Sequence, residues 1–569
     1  MYTLKTPSFL KPSSRPTSPS PTPARPDSAA PPTAERSSRA SVLSFSSFKR
    51  TASPLTRPAS STSLAAAATP LIQDGSYMES LNLKLSEAVS KALGQPSGPG
   101  VPSEVLNGRR PIPAGRGRAL ADLIVSEVQA VRENPYLHRA VLRTLHRPLS
   151  VLVNNLSNNL MPLLASPAFL TPTVPSPQAP NPNPTQLHAI GLATFAGELV
   201  EMYDAVPLYI EGDMRADGLR VIRDSLVSIV KRVVEPLVTG IKNDLVPYLD
   251  ALENPNATPY VPITGTTTKA TPASKAPVHH PSIMYMQNVM PTYARALARY
   301  ITSPTAEAAL ASLLINLVWR GLVALSNRPA PLASPNTSPS MPTAALKKDG
   351  KTPPTTPPAS KFTLRLPPSR PPSPPATTIN KATTASDARA LYDLLSSLPR
   401  PMGDGEQKRL AQEVVDEAIE ALAAMAALLE ATQTHGHIAA NMKNQVFKSF
   451  GGSPVIDLEH DLEVLTADIP TLIALPLILR TYFPPSPSGN PQGRSVSAML
   501  GLTEAAYRTG CLSGFGRADE CTVAVGQHVL SVLRDEVRTC RLDENAAREA
   551  AVVLKWLERE VALVATGDH

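Results

Sequence analysis

Residues 303–327 read SPTAEAALASLLINLVWRGLVALSN. A segment this apolar either crosses a membrane or lies at the centre of a helical protein. Ser303 followed by Pro304 has the order of an N-cap and a first helical residue. From Ala308 to Leu325 the stretch is apolar almost all round. That is about 18 residues where a spanning helix needs about 20. Asn316 and Arg320 lie inside it, and a central arginine costs about 2.5–3.5 kcal/mol on insertion. A helix that is hydrophobic all round is also what a bundle buries at its core. The sequence therefore predicts a buried helix. IPTLIALPLILRTYF at 469–483 is treated alike: it is short, broken by Pro476 and ended by Arg480.

Outward from this segment the chain alternates between helical islands and proline-rich stretches. At 117–165, Leu120, Leu123, Ile124, Val128 and Val131 fall at helical spacing before ENP at 133–135 breaks the run. Leu149, Leu152, Leu156, Leu160 and Leu163 then form one stripe, opposite Asn154, Asn155, Ser157, Asn158 and Asn159. The asparagine face has poor helix propensity, so packing of the leucines must hold that helix. At 186–253 the apolar set is Leu219, Ile222, Leu226, Ile229, Val233 and Leu237, continuing to Ile241 and Leu245. Pro236 and Pro247 are expected to kink or divide it. Arg220, Arg223, Lys231 and Arg232 take the wet side, balanced by Asp224 and Glu235. In the island at 386–483, Leu410, Val414, Ala421, Met425 and Leu428 repeat near 3.5 residues, an alanine-rich seam for close packing. In the last island, 495–569, two helices pair around the connection RLDEN, with Asp543 as the expected N-cap.

The chain has 569 residues, 62 of them proline, with 18% charged and 4% aromatic residues. Its apolar content is therefore mostly Ala, Val and Leu, which favour helices over sheets. Ser/Thr/Pro-rich segments bury too little apolar surface to offset their ordering entropy. The expected organisation is a disordered tail at 1–74 and an isolated helix at 75–94. A first helical region follows at 117–327, with loops at 166–185 and 254–280, and 95–115 has the same loop texture. A proline-rich linker at 328–384 leads to a second helical region at 386–569, with a loop at 484–494. The fold class is all-α: one or two irregular bundles of helical islands, separated by long disordered linkers.

The net charge of +7 is mild for this length and does not signal nucleic acid. Three cysteines argue against a disulfide framework and fit a reducing, cytoplasmic location. The start has no apolar core for secretion, and its prolines oppose the amphipathic helix of a mitochondrial presequence. Phosphate-loop, zinc-protease, nucleophile-elbow and C-x-x-C patterns are absent. His279, His280, His435 and His437 lack ligand partners at a recognised spacing, so no metal and no cofactor is expected. GCLSGFGRADEC at 510–521 looks like a phosphate or thiol site. Without a preceding strand it reads as a turn between helices, closed by left-handed glycine and anchored by Phe515. Arg517 alone is left without a role by that reading, and Cys540 reads as a small buried hydrophobe.

The linkers carry the functional signal. Arg365, Pro368 and Pro371 satisfy R-x-x-P-x-x-P, and Lys351, Pro354 and Pro357 repeat the spacing with lysine. Three residues per turn put such prolines on one edge of a polyproline helix, with the basic residue facing an acidic pocket of an SH3-type domain. Ser18, Ser53, Ser334, Ser338 and Ser373 precede proline, and Arg57 lies three before Ser60. These are candidate phosphosites for phosphopeptide readers. Each phosphate adds roughly −1.5 to −2, so about four would cancel the formal charge. The expectation is a non-enzymatic scaffold or adaptor whose partners are proteins, not small-molecule substrates. One alternative is a peripheral membrane-trafficking or tethering component, with the basic helix near 215–232 facing an anionic surface. Another is an enzyme whose helical active site is assembled from distant residues.

Overall fold

The apolar segment at 303–327 forms one helix, and other helices surround it. The computed structural model describes residues 70–96, 102–172, 174–206, 217–255, 279–329, 383–402, 405–441, 454–483, 495–539 and 544–566. In chain order the helices are α1 (Pro70–Leu93), α2 (Arg116–Ala130), α3 (Pro135–Ala165), α4 (Pro167–Leu170), α5 (Pro184–Ala205), α6 (Asp217–Ala251), α7 (Pro281–Tyr300) and α8 (Pro304–Asn327). They continue as α9 (Thr384–Ser396), α10 (Glu406–Asn441), α11 (Pro454–Thr466), α12 (Thr471–Tyr482), α13 (Val496–Met499), α14 (Glu504–Cys511), α15 (Phe515–Thr539) and α16 (Glu544–Thr566). The described residues contain no strand, so the all-α class holds.

α8 packs on α5, α6, α9, α10 and α12. It is long and apolar enough to cross a membrane, yet 61% of its apolar window is buried within the protein. Leu310, Leu313, Leu314, Leu317, Val318, Trp319, Leu322 and Leu325 are all buried. Arg320, the residue most awkward for insertion, sits on the exposed side and pairs with Asp250 at 3.2 Å. Ser303 occupies the N-cap position but makes no capping bond. Its buried side chain instead meets Gly197 of α5, where an added Cβ would lie 2.4 Å from that of Ser303. All the described residues belong to one compact unit, Ala68–His569, joined across the two helical regions by α8–α10 and α8–α12 packing.

The leucine stripe of α3 packs as its spacing predicts: Leu149, Leu152, Leu156 and Leu160 are buried, and Asn154, Asn155, Asn158 and Asn159 are exposed. α6 differs from expectation. It runs 35 residues unbroken with Pro236 and Pro247 inside it. Each proline removes one backbone donor. Leu237, Ile241 and Leu245, all essentially inaccessible, hold the helix across those gaps. In α10 the seam is out of phase in its first half. Leu410 and Val414 are exposed, while Val415, Ala418, Ile419, Leu422, Met425 and Leu429 face α8 and α9.

The helix at 75–94 is not isolated. Leu81, Leu85 and Val89 are buried against α2 and α3. The stretches at 95–115 and 166–185 also differ from plain linkers. Residues 102–115 lead into α2, whose N-cap Gly115 (φ 87°) offers no side chain. The Glu198 carboxylate of α5 substitutes, accepting from the backbone N–H of Gly115 (2.6 Å) and Arg118 (3.1 Å). Opposite charge at the positive end of a helix is favourable. Between 166 and 185, α4 buries Phe169, and Gln186 donates to the carbonyls of Phe169 and Pro172 at 3.0 Å each. These prolines start helices: Pro135, Pro167 and Pro184 each follow a capping Asn or Ser. Most of 254–280, 328–384 and the whole of 484–494 lie outside the described residues, as do 1–69 and Asp543.

Candidate functional site

Four helix ends meet at one buried polar node: the C-termini of α6 and α8 and the N-termini of α7 and α9. Asp387, in the first turn of α9, is fully buried. One carboxylate oxygen accepts from Arg328 Nη1 at 2.6 Å, and the other from the backbone N–H of His280 at 2.9 Å. Arg328 follows α8 and is itself buried. His280 caps α7: its Nδ1 accepts from the Ser282 backbone N–H at 3.2 Å, and its Nε2 lies 3.1 Å from the Asn254 carbonyl. Those two bonds require the Nε2–H tautomer. Arg480 of α12 adds guanidinium donors to the carbonyls of Ser326 and Arg328, which the end of α8 leaves without helical partners. Glu253, just after α6, is held by both Nη atoms of Arg508 at 2.7 and 2.6 Å.

The node sits where the chain departs and returns. The segment 256–278 is flanked by Asn254 and His280, and 330–382 by Arg328 and Asp387. Both excursions are thus closed at the base by contacts of hydrogen-bond length. Beside the node a cleft of about 920 Å³ lies between α7, α9 and α10. His279, Thr383, Ser386, Arg389 and Glu430 line it. Four of these side chains are engaged in structure. Thr383 and Ser386 form the reciprocal capping box of α9, and Arg389 pairs with Glu430 at 3.2 Å. His279 Nδ1 stands 3.5 Å from Asp387 Oδ1 but makes no hydrogen bond among the described residues.

Burial lowers the His280 pKa, the Asn254 bond opposes that shift, Arg328 adds to it and Asp387 opposes it. The folded ring is therefore harder to protonate than the unfolded one, whose pKa is about 6.5. The unfolded chain takes up the proton first as pH falls, so stability declines below that value. The expected result is a melting temperature flat above about pH 7 and falling through the window below about 6.5. His280→Asn keeps a capping side chain and removes the proton site. Thermal melts of both proteins from pH 5 to 8 should show a smaller acid slope for the variant. Equal slopes would remove His280 as the cause.

The proline-motif residues and the phosphosites Ser18, Ser53, Ser60, Ser334, Ser338 and Ser373 lie outside the described residues. Of the histidines considered as ligands, His280 caps α7 and His279 stands beside Asp387 without a hydrogen bond. No group of three or more metal-ligating side chains occurs among the described residues. The basic face of α6 is partly engaged: Arg223 pairs with Asp204 at 2.6 Å and Asp224 at 3.7 Å.

The turn at 510–521 holds together differently from its expected form. Gly510, Gly514 and Gly516 do not adopt positive φ. Leu512 ends α14, and its carbonyl accepts from Trp319 Nε1 at 2.7 Å. Phe515 packs on the same indole, ring centroids 4.7 Å apart. Arg517 supplies the missing closure: its Nε donates to the Gly510 carbonyl at 2.7 Å, and Nη1 pairs with Glu520 at 2.7 Å. No family model, curated protein or solved structure matches the chain.

Proposed function

We propose that the protein is a non-enzymatic scaffold that presents linear motifs from a helical body. The convergence of the linker roots on the Asp387–Arg328–His280 node carries this reading. Closing a long insertion at its base costs little more entropy than closing a short one. A body with tied roots therefore stays folded while the segment between them binds partners. The segment 330–382 contains both R/K-x-x-P-x-x-P matches and the candidate phosphosites Ser334, Ser338 and Ser373. A polyproline ligand there is recognised by SH3-type domains through its prolines and its basic residue. A phosphate on Ser373, two residues after Pro371, places negative charge beside that basic motif and weakens its attraction to an acidic pocket.

The test uses the full chain and a panel of purified SH3 domains. At least one domain is expected to bind. Arg365→Ala combined with Pro368→Ala should weaken that complex about tenfold or more, the scale of one lost anchor. Replacing 335–380 with a Gly/Ser segment of equal length, sparing Arg328 and Asp387, should leave the melting temperature unchanged and abolish capture. If no SH3 domain binds, or if the double variant binds as tightly as the parent, the reading fails.

A further inference from the structure

The side of α10 that packing leaves out has a chemistry of its own. Leu410 and Val414 continue the apolar seam into the first half of the helix, yet they are 53% and 45% exposed. Met402, just before the helix, is 73% exposed. Glu406, Glu413, Glu417 and Glu420 are exposed as well. The positions 406, 410, 413, 417 and 420 recur every three or four residues, which places them on one face. None of the four glutamates has an ion-pair or hydrogen-bond partner among the described residues. Cations there are few: Lys408 pairs with Glu307 at 3.6 Å, and Arg409 is the only other one between 406 and 430. The face is thus an apolar stripe edged by carboxylates. Two copies of it would oppose like charges, which disfavours a second copy as the occupant. A segment that combines apolar and basic side chains fits.

The segment 330–382 carries seven Lys or Arg residues and one acidic residue, Asp349. Within it, KFTLRL at 361–366 interleaves Phe362, Leu364 and Leu366 with Lys361 and Arg365. The segment rejoins the body at Thr383, the cap of α9, and α9 packs beside α10. α9 is about 20 Å long, and the chain from Leu366 to Thr383 extends up to about 55 Å, so KFTLRL reaches the first half of α10. We propose that residues 361–366 dock on this face of α10. Phe362, Leu364 and Leu366 cover Leu410 and Val414, while the long side chains of Lys361 and Arg365 reach the flanking glutamates. A short tether supplies an effective concentration in the millimolar range, so a contact too weak to hold two separate molecules is still occupied within one chain. Arg365 is also the basic anchor of the R-x-x-P-x-x-P match. The docked segment therefore withholds that motif from an SH3-type domain, the glutamates of α10 standing in for the acidic pocket. This regulatory consequence rests on the scaffold reading above; the docking does not.

A fluorescent peptide of residues 359–372 tests the docking. It is titrated with the full chain, with the chain carrying the Gly/Ser replacement of 335–380, and with that replaced chain bearing Glu413→Lys and Glu417→Lys. The peptide is expected to bind the replaced chain, and the parent about tenfold more weakly, because the parent's own segment competes at millimolar effective concentration. The double charge reversal should weaken binding about tenfold or more, and added salt should weaken it too. Leu410→Ser, at another exposed position, should act in the same direction. No binding to the replaced chain overturns the docking, as does equal binding to the parent and replaced chains. So does binding that survives both the charge reversal and Leu410→Ser. Tighter binding by a peptide of 442–453 would give the face to that segment. A concentration-dependent dimer of the replaced chain that Leu410→Ser abolishes would give it to a second copy. Either result overturns the proposal. No SH3 domain enters this titration, so its failure is distinct from failure of the scaffold reading. Where that reading holds, the captured SH3 domain should bind the isolated peptide about tenfold more tightly than the parent chain. Glu413→Lys with Glu417→Lys in the parent should remove that difference, and an unchanged difference would overturn the regulatory role.

Discussion

Asp387→Ala is expected to destabilise the protein by about 3–5 kcal/mol, the cost of stranding one partner of a buried ion pair. The size follows from what is left behind. Arg328 Nη1 loses its carboxylate 2.6 Å away, in a position where its side chain is 5% exposed and water cannot substitute. The backbone N–H of His280 loses its acceptor in the same place. Two buried donors are then unpaired, and each unsatisfied group carries its own desolvation penalty. Urea unfolding followed by circular dichroism measures the change. Arg328→Met in the Asp387→Ala background should recover part of the loss, because replacing both charges with apolar groups removes the stranded one. If Asp387→Ala costs less than about 1 kcal/mol, the pair is not closed in solution, and the linker roots are not tied as described.

How much of this was legible in the sequence depends on the range of the interaction. The stripe of α3 was readable because four leucines repeat within one helix and nothing competes with them. α8 was readable because length and Arg320 weighed against a membrane span. The phase of α10 was not. Its alanine-rich seam offers two adjacent apolar stripes, and only packing against α8 and α9 selects Val415 and Ile419 over Leu410 and Val414. Pro236 and Pro247 misled for a related reason. Local propensity counts the lost backbone bond, while burial of the neighbouring leucines and isoleucines on α5 and α8 outweighs it.

The node was invisible because its members are far apart in the chain: Asp387 and the His280 N–H it binds are separated by 107 positions. The spacing of His279 and His280 shows no ligand set, and nothing in it marks His280 as the cap of α7. The one usable signal was indirect. Asp387 stands four residues after Thr383, at the start of the expected second helical region, beside a proline-rich boundary. Similarly, Arg517 was the residue that the turn at 510–521 did not explain, and it proves to close that turn through the Gly510 carbonyl. An unexplained charge next to a short connection is worth treating as a candidate for backbone closure.

The second large effect is expected at Trp319, where α8 holds the α14–α15 turn. Trp319 is 3% exposed, and its Nε1–H donates to Leu512 O across 193 positions of sequence. Trp319→Ala removes a buried aromatic side chain from a core contact and should cost about 3–5 kcal/mol. Trp319→Phe keeps much of the ring and its packing on Phe515 but leaves the Leu512 carbonyl without its donor, which should cost about 1–3 kcal/mol. The two variants separate packing from hydrogen bonding. Hydrogen exchange locates the effect: in Trp319→Phe, amides of 504–520 should lose protection while those of α3 and α6 keep theirs. Fluorescence gives an independent check. The chain has two tryptophans, and the other, Trp556, donates to Thr466 Oγ1 at 3.0 Å on a different pair of helices. Emission of Trp319→Phe therefore reports Trp556 alone and should be unchanged in position if the loss stays local. A shift in that emission would mean that α8 organises α11 and α16 as well, and that the turn is one symptom of a wider loosening.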